Sequence, residues 1–138
     1  TCAKQGADIV ANASFNVVAT RTNTSGARQV VLPYFATVVQ GGRVVVSKRI
    51  STIVLNFADG QRRAEAKGSA TGYVDNAAAT LPPHIQERLT RKRRAGDADA
   101  AVDPLSNPDV RAAVQKASFE LLIGFQLTDA QLQYNATR

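Results

Sequence analysis

The chain has 138 residues, 44% of them hydrophobic, and 17 Lys and Arg against 11 Asp and Glu give it a net charge of +6. That is enough apolar material for one ordinary core in a chain too short for two, which argues against wholesale disorder and for a single domain over 1–138. The longest apolar runs are broken by Arg, Lys or Asn well short of the roughly 20 residues of a membrane-spanning helix, and one cysteine leaves no internal disulfide or cysteine-rich metal site.

The chain opens at Thr1 and contains no Met, so an initiator end carrying any targeting segment is expected to have been removed, with Cys2 left as a free thiol. Ile9, Ala11, Ala13, Phe15, Val17 and Ala19 then alternate with Asn12, Ser14, Asn16 and Thr20, the period of a half-exposed strand ending near Arg21. A second strand is predicted from Gln29 to Val39, with Pro33 inside it. A proline lacks the amide donor of the ladder, so an edge position or a bulge is expected there. Gly41-Gly42 is a two-residue hairpin signal.

The third strand starts with Val44, Val46 and Ile50 on one parity and continues with Ile53, Leu55 and Phe57 on the other, as a bulge or a strand changing sheets would produce. Asp59-Gly60 marks a turn. A fourth strand, Arg62–Val74, sets Ala64, Ala66, Gly68, Ala70 and Gly72 inward, small enough for another layer to approach closely.

After Asp75 the pattern changes. Residues 75–117 read as a helical insertion, with one helix from about Pro83 to Arg94, a loop over Asp97–Ser106, and a second helix capped by Asn107 with Pro108 and Asp109 in its first turn. Phe119, Leu121, Ile123, Phe125 and Leu127 form the clearest alternation in the chain. Because Leu122 and Gly124 between them are apolar or small, that strand is expected in the middle of a sheet, the element around which the rest is organised. Thr128 and Gln131 form a capping box for a short C-terminal helix. Strands, then a helical insertion, then a last strand predict a mainly β, antiparallel β-sandwich-like domain.

Three segments together resemble a known family: Cys2 followed by ASFNVVATRT, VVLPYFATVV at Val30–Val39, and FELLIGFQLTDAQLQYN at the end. They resemble small cell-envelope proteins of alphaproteobacteria, sphingomonad-like, many of them predicted lipoproteins with no assigned biochemical role. The resemblance implies an exported protein, periplasmic or associated with the outer membrane, and supplies no active-site residue. The 75–117 insertion departs from the short form of the pattern.

Chemistry has little to stand on in this sequence. His84 is the single histidine, and a catalytic or metal-binding role would need an acid, a nucleophile or further ligands beside it. Asp97, Asp99, Asp103 and Asp109 lack the glycine and terminal Glu of a calcium loop and read as an exposed acidic stretch balancing its basic neighbour. Serine and lysine occur in no nucleophile motif, and no glycine-rich phosphate loop is present, so neither an enzyme nor a cofactor is expected. Asn12, Asn23 and Asn135 match a glycosylation acceptor pattern, read as chance in a bacterial chain.

Charge supplies the one positive signal. Residues 1–83 hold nine basic and four acidic groups, residues 84–96 five and one, residues 97–138 three and six. Arg88, Arg91, Lys92, Arg93 and Arg94 form a basic cluster beside the apolar Ile85 and Leu89. These seven residues are the expected partner-binding set, with Ile85 and Leu89 as apolar anchors and the cations as electrostatic guides. The partner expected is an envelope protein assembly, and the alternative is an anionic membrane or polyanion gripped by a basic helix over 84–94. No aromatics interleave with the cations, so nucleic acid is not expected, and no small-molecule substrate is identified.

Overall fold

A computed structural model describes residues 1–137. The strands are β1 (Cys2–Gln5), β2 (Asp8–Thr20), β3 (Arg28–Gln40), β4 (Val44–Phe57), β5 (Arg63–Asp75) and β6 (Phe119–Phe125). The helices are α1 (Pro83–Thr90), α2 (Pro108–Ala117) and α3 (Asp129–Ala136), with a single 3-10 turn at Pro104–Ser106. The strands form two antiparallel sheets, ordered β1-β2-β5 and β4-β3-β6. The fold is therefore mainly β and sandwich-like, with α1 and α2 inserted before the last strand.

Alternation decides which side chains meet between the layers. From β2 come Phe15 and Val17, from β5 Ala64 and Ala66, from β3 Val30, Leu32 and Tyr34, and from β4 Ile53, Leu55 and Phe57. Leu55 is 0% exposed, and enclosing such a side chain contributes roughly 2–3 kcal/mol. The Phe15 ring stands edge-on to Tyr34 with centroids 5.3 Å apart, and the Tyr34 hydroxyl donates to the Ser69 carbonyl at 2.7 Å, so the one polar atom of that side chain is satisfied inside. The small residues of β5 serve close approach as expected: a Cβ on Gly72 would lie 2.7 Å from Val38 Cγ2.

Three expectations need correction, and one strand was not foreseen. The β6 strand does not lie mid-sheet. It pairs with β3 alone, and β3 is the central strand of its sheet. The apolar Leu122 and Gly124 that suggested a doubly covered strand sit on the outer side of an edge.

Pro33, in turn, lies in that central strand. The main-chain N and C=O of a residue in an antiparallel strand point the same way, and the Pro33 carbonyl accepts from Gln126 N at 2.9 Å, toward the β6 side. The missing donor thus faces the place where β6 runs out, and the ladder to β4 loses nothing. The bulge lies elsewhere: Val38 pairs with Ser47 and Val39 with Val45, leaving Val46 as the extra residue.

The third correction concerns the first helix of the insertion, which ends at Thr90 rather than Arg94, with Arg91 already at ψ 123°. Four consecutive cations in a last turn repel one another, and the extended backbone lets Arg91 and Arg93 turn toward Asp99. The unforeseen strand is β1, a short edge strand on β2 formed through the turn at Gly6, which has φ +61°; its exposed sequence CAKQ carries no apolar alternation to announce it.

Local rules hold at the remaining turns and caps. Gly41 and Gly42 have φ of +61° and +72° and close the β3–β4 hairpin, with Arg43 N bonding the Gln40 carbonyl at 3.2 Å. The Asn107 side chain caps α2 through Asp109 N and Val110 N, and Thr128 and Gln131 form the reciprocal box at the start of α3.

Candidate functional site

The insertion is held by two apolar pegs and otherwise faces solvent. Ile85 of α1 is 2% exposed and Val110 of α2 is 1% exposed. Ile85 is therefore enclosed within the chain and is not available to a partner. Leu89 is partly buried on the same helix. The other expected contact residues are on the surface: Arg88, Arg91, Lys92 and Arg94 are exposed, and Arg93 is partly buried.

The ends of the insertion are ordered by side-chain bonds. Pro82-Pro83 places a proline at the first turn of α1, where no amide donor is needed. Beyond α1, Arg94 N donates to Asp97 Oδ2 at 2.9 Å, and the Asp103 carboxylate accepts from Leu105 N at 2.9 Å to start the 3-10 turn. Arg111 Nε reaches the Leu105 carbonyl at 3.2 Å, and Gln115 Nε2 reaches the Gly41 carbonyl at 3.2 Å, which ties the end of α2 to the β3–β4 hairpin.

These contacts bring Arg88, Arg91 and Arg93 to the wall of one cavity of about 340 Å³, with Asp99, Asn107 and Val110 opposite. Asp99 Oδ2 is 3.5 Å from Arg93 Nε and 3.9 Å from Arg91 Nη1. Lys92 and Arg94 make no ion pair among the described residues. The acidic stretch expected to balance the basic cluster does so through Asp99, in a pair with Arg91 that is open to water and individually weak and in one with Arg93 whose Nε is buried. The whole insertion, residues 75–117, carries seven basic and six acidic side chains, so its surface is of both signs rather than uniformly positive.

His84 is exposed at the start of α1, in an open depression with Glu87, Arg88 and Arg91. Among the described residues no three of His, Cys, Asp and Glu gather as metal ligands would, and no helix is long and apolar enough to cross a membrane. Cys2 is an exposed free thiol on β1, at the rim of an apolar cleft with Ile9, Phe119 and Leu121.

The role of Asp99 and Asn107 in this cavity was hidden in the sequence, because the turns that bring residues 97–107 back on Arg88–Arg93 have no periodic signal. No family model, curated protein or solved structure matches the chain.

Proposed function

We propose that this protein is a non-enzymatic accessory subunit of the cell envelope, exported to the periplasm or outer membrane, that docks on a larger protein assembly through its 75–117 insertion. Arg88, Arg91, Lys92 and Arg94 are the recognition groups. The supporting observation is that both signs meet on one concave surface: three arginines and two aspartates, Asp99 and Asp103, line the same cavity. A surface of mixed sign discriminates among protein partners by matching charges, whereas a uniform one attracts any anion. The envelope location rests on the resemblance of the three segments quoted above.

An anionic membrane or polyanion remains the second reading, favoured by Lys92 and Arg94, which project without an ion pair among the described residues. It has lost the continuous basic helix that would have presented all five cations together, since α1 stops at Thr90.

Affinity capture from solubilised envelope separates these readings. The intact chain is compared with a variant carrying Arg88→Glu, Arg91→Glu, Lys92→Glu and Arg94→Glu, which leaves the buried Ile85 and Val110 untouched. A defined protein set recovered with the first and lost with the second is the expected result. Equal recovery from both overturns the proposal, and capture of lipid or polyanion alone transfers the surface to the second reading.

A further inference from the structure

The outer side of the β4-β3-β6 sheet is apolar where an outward face is ordinarily polar. Strand register puts Val31 opposite Val54, Pro33 opposite Thr52, and Phe35 between Ile50 and Gly124. Val31 is 53% exposed and Ile50 is 62% exposed. The change of parity in Val44–Phe57 has its explanation here: Ile53, Leu55 and Phe57 point inward while Ile50 and Val54 point out, so the strand is apolar on both faces. An uncovered apolar face of this kind marks an interaction site.

Its charge leans basic, with Glu120 of β6, opposite Val39, as the acid on that side. Residues 28–58, the whole β3–β4 hairpin, contain Arg28, Arg43, Lys48 and Arg49 and not one Asp or Glu. Lys48 stands on the outer face itself, its Nζ 5.1 Å from the centre of the Phe35 ring. This differs in kind from the insertion, where acids answer the bases.

A second copy is a poor occupant. The open face spans roughly 14 Å across three strands by 20 Å along them, about 300 Å² per copy or about 600 Å² for a pair, half of the ~1,200 Å² total of the smallest stable interfaces. Face-to-face stacking would also desolvate two Lys48 side chains near one another. A bilayer has neither restriction, since its apolar boundary accepts any area, a long Lys stem reaches back to the headgroups, and anionic lipid neutralises the charge.

We infer that the outer face of the β4-β3-β6 sheet is a membrane-contact surface: Val31, Phe35, Ile50 and Val54 enter the interface of an anionic bilayer while Lys48 and Arg43 bind its headgroups. None of these residues belongs to the insertion, whose α2 lies against the other end of β3, so the inference stands whether or not the insertion binds a protein.

The test is flotation of the purified chain with vesicles of phosphatidylglycerol and phosphatidylcholine, or of phosphatidylcholine alone, at low and high salt. Binding to the anionic vesicles at low salt is expected, with loss in high salt and little binding to phosphatidylcholine. Lys48→Glu and Ile50→Glu should each lower partitioning by roughly tenfold or more, given that each basic group near such a surface is worth about fivefold, while the circular dichroism spectrum stays that of the parent chain. The fourfold Glu variant of the insertion should retain the Ile50 dependence. No binding at low salt overturns the inference. So does binding indifferent to Ile50→Glu but abolished by the insertion variant, and so does a sedimentation shift showing that Ile50→Glu dissociates a dimer formed through this face.

Discussion

On the outside of the β2–β5 ladder, Asn12 meets Thr71, Ser14 meets Ser69 and Asn16 meets Lys67; on the outside of the β3–β4 ladder, Val31 meets Val54 and Phe35 meets Ile50. The two ladders have the same geometry, and both turn their other side to the shared core. The first is polar along its middle, down to the bond from Thr71 Oγ1 to Asn12 Oδ1 at 2.8 Å and the Arg63–Glu65 ion pair, with Val18 and the Val10–Tyr73 pair toward its two ends. The second carries side chains that gain nothing from the interior. Internal packing explains Ile53, Leu55 and Phe57 of β4, but it leaves Ile50 and Val54 unexplained, which is why the difference points to contact with something outside the chain.

Two phenylalanines measure that difference directly, because each covers a glycine of the neighbouring strand. A Cβ on Gly68 would collide with Phe15 Cζ, and one on Gly124 would lie 2.7 Å from Phe35 Cζ. The Phe15 ring points into the core against Tyr34, so Phe15→Ala should destabilise the fold by about 3–4 kcal/mol, the range for removing a core aromatic. The Phe35 ring lies outside, shared between Gly124 and Lys48, and Phe35→Ala should cost roughly 1 kcal/mol, near the ordinary effect of a substitution away from the core. Denaturant unfolding of both variants gives the ratio. Equal losses would mean that the outer face is packed in the monomer, and the contrast between the ladders would fail.

The next effect in size separates the two ends of the β4-β3-β6 sheet. Thr37 and Val39 of β3 have the same outward parity as Val31 and are nonetheless buried, at the end where α2 lies against β3. The Asn107 side chain is the cap that starts α2, and Asn107→Ala should cost about 1 kcal/mol. Hydrogen exchange of the α2 amides should rise with that loss, while the Val30–Leu32 amides exchange as before. Uniform acceleration in both places would show that the covered and open ends unfold as one unit.

What was legible in the sequence was alternation, and it went as far as alternation goes. The inward sets of β2 and β5, the Gly41-Gly42 hairpin, the Asn107 cap and the Thr128–Gln131 box all depend on neighbours a few residues apart. The order of strands in a sheet depends on pairings such as Val38 with Leu121, and no local pattern encodes those. The FELLIGF segment was therefore misplaced for a physical reason, since an apolar residue on both sides of a strand fits a central strand and an exposed edge equally well. The same ambiguity hid the open face in Val44–Phe57. At the candidate site the cations were visible as a run, but their partner Asp99 was not, and without it a helix through Arg94 was the natural reading. Ile85 was legible as apolar, though not as a peg facing inward.

The smallest predicted effect is the one that bears most directly on the two faces. Ile50→Thr and Val54→Thr keep β-branched shapes suited to a strand and remove apolar surface that water already reaches, so stability in denaturant should change by less than about 0.5 kcal/mol for each. Ser14→Val on the opposite ladder should be equally mild, because its position is solvated too. The three variants should part company in solubility and vesicle partitioning: the two Thr variants become more soluble and partition less, while Ser14→Val moves the other way. A loss above 1 kcal/mol for Ile50→Thr would place that side chain in a packed environment, and its exposure would then no longer be an argument for a contact surface. If the stabilities hold and partitioning falls, the apolar residues outside β4 are shown to serve binding at no cost to the fold, because the core they share a strand with is complete without them.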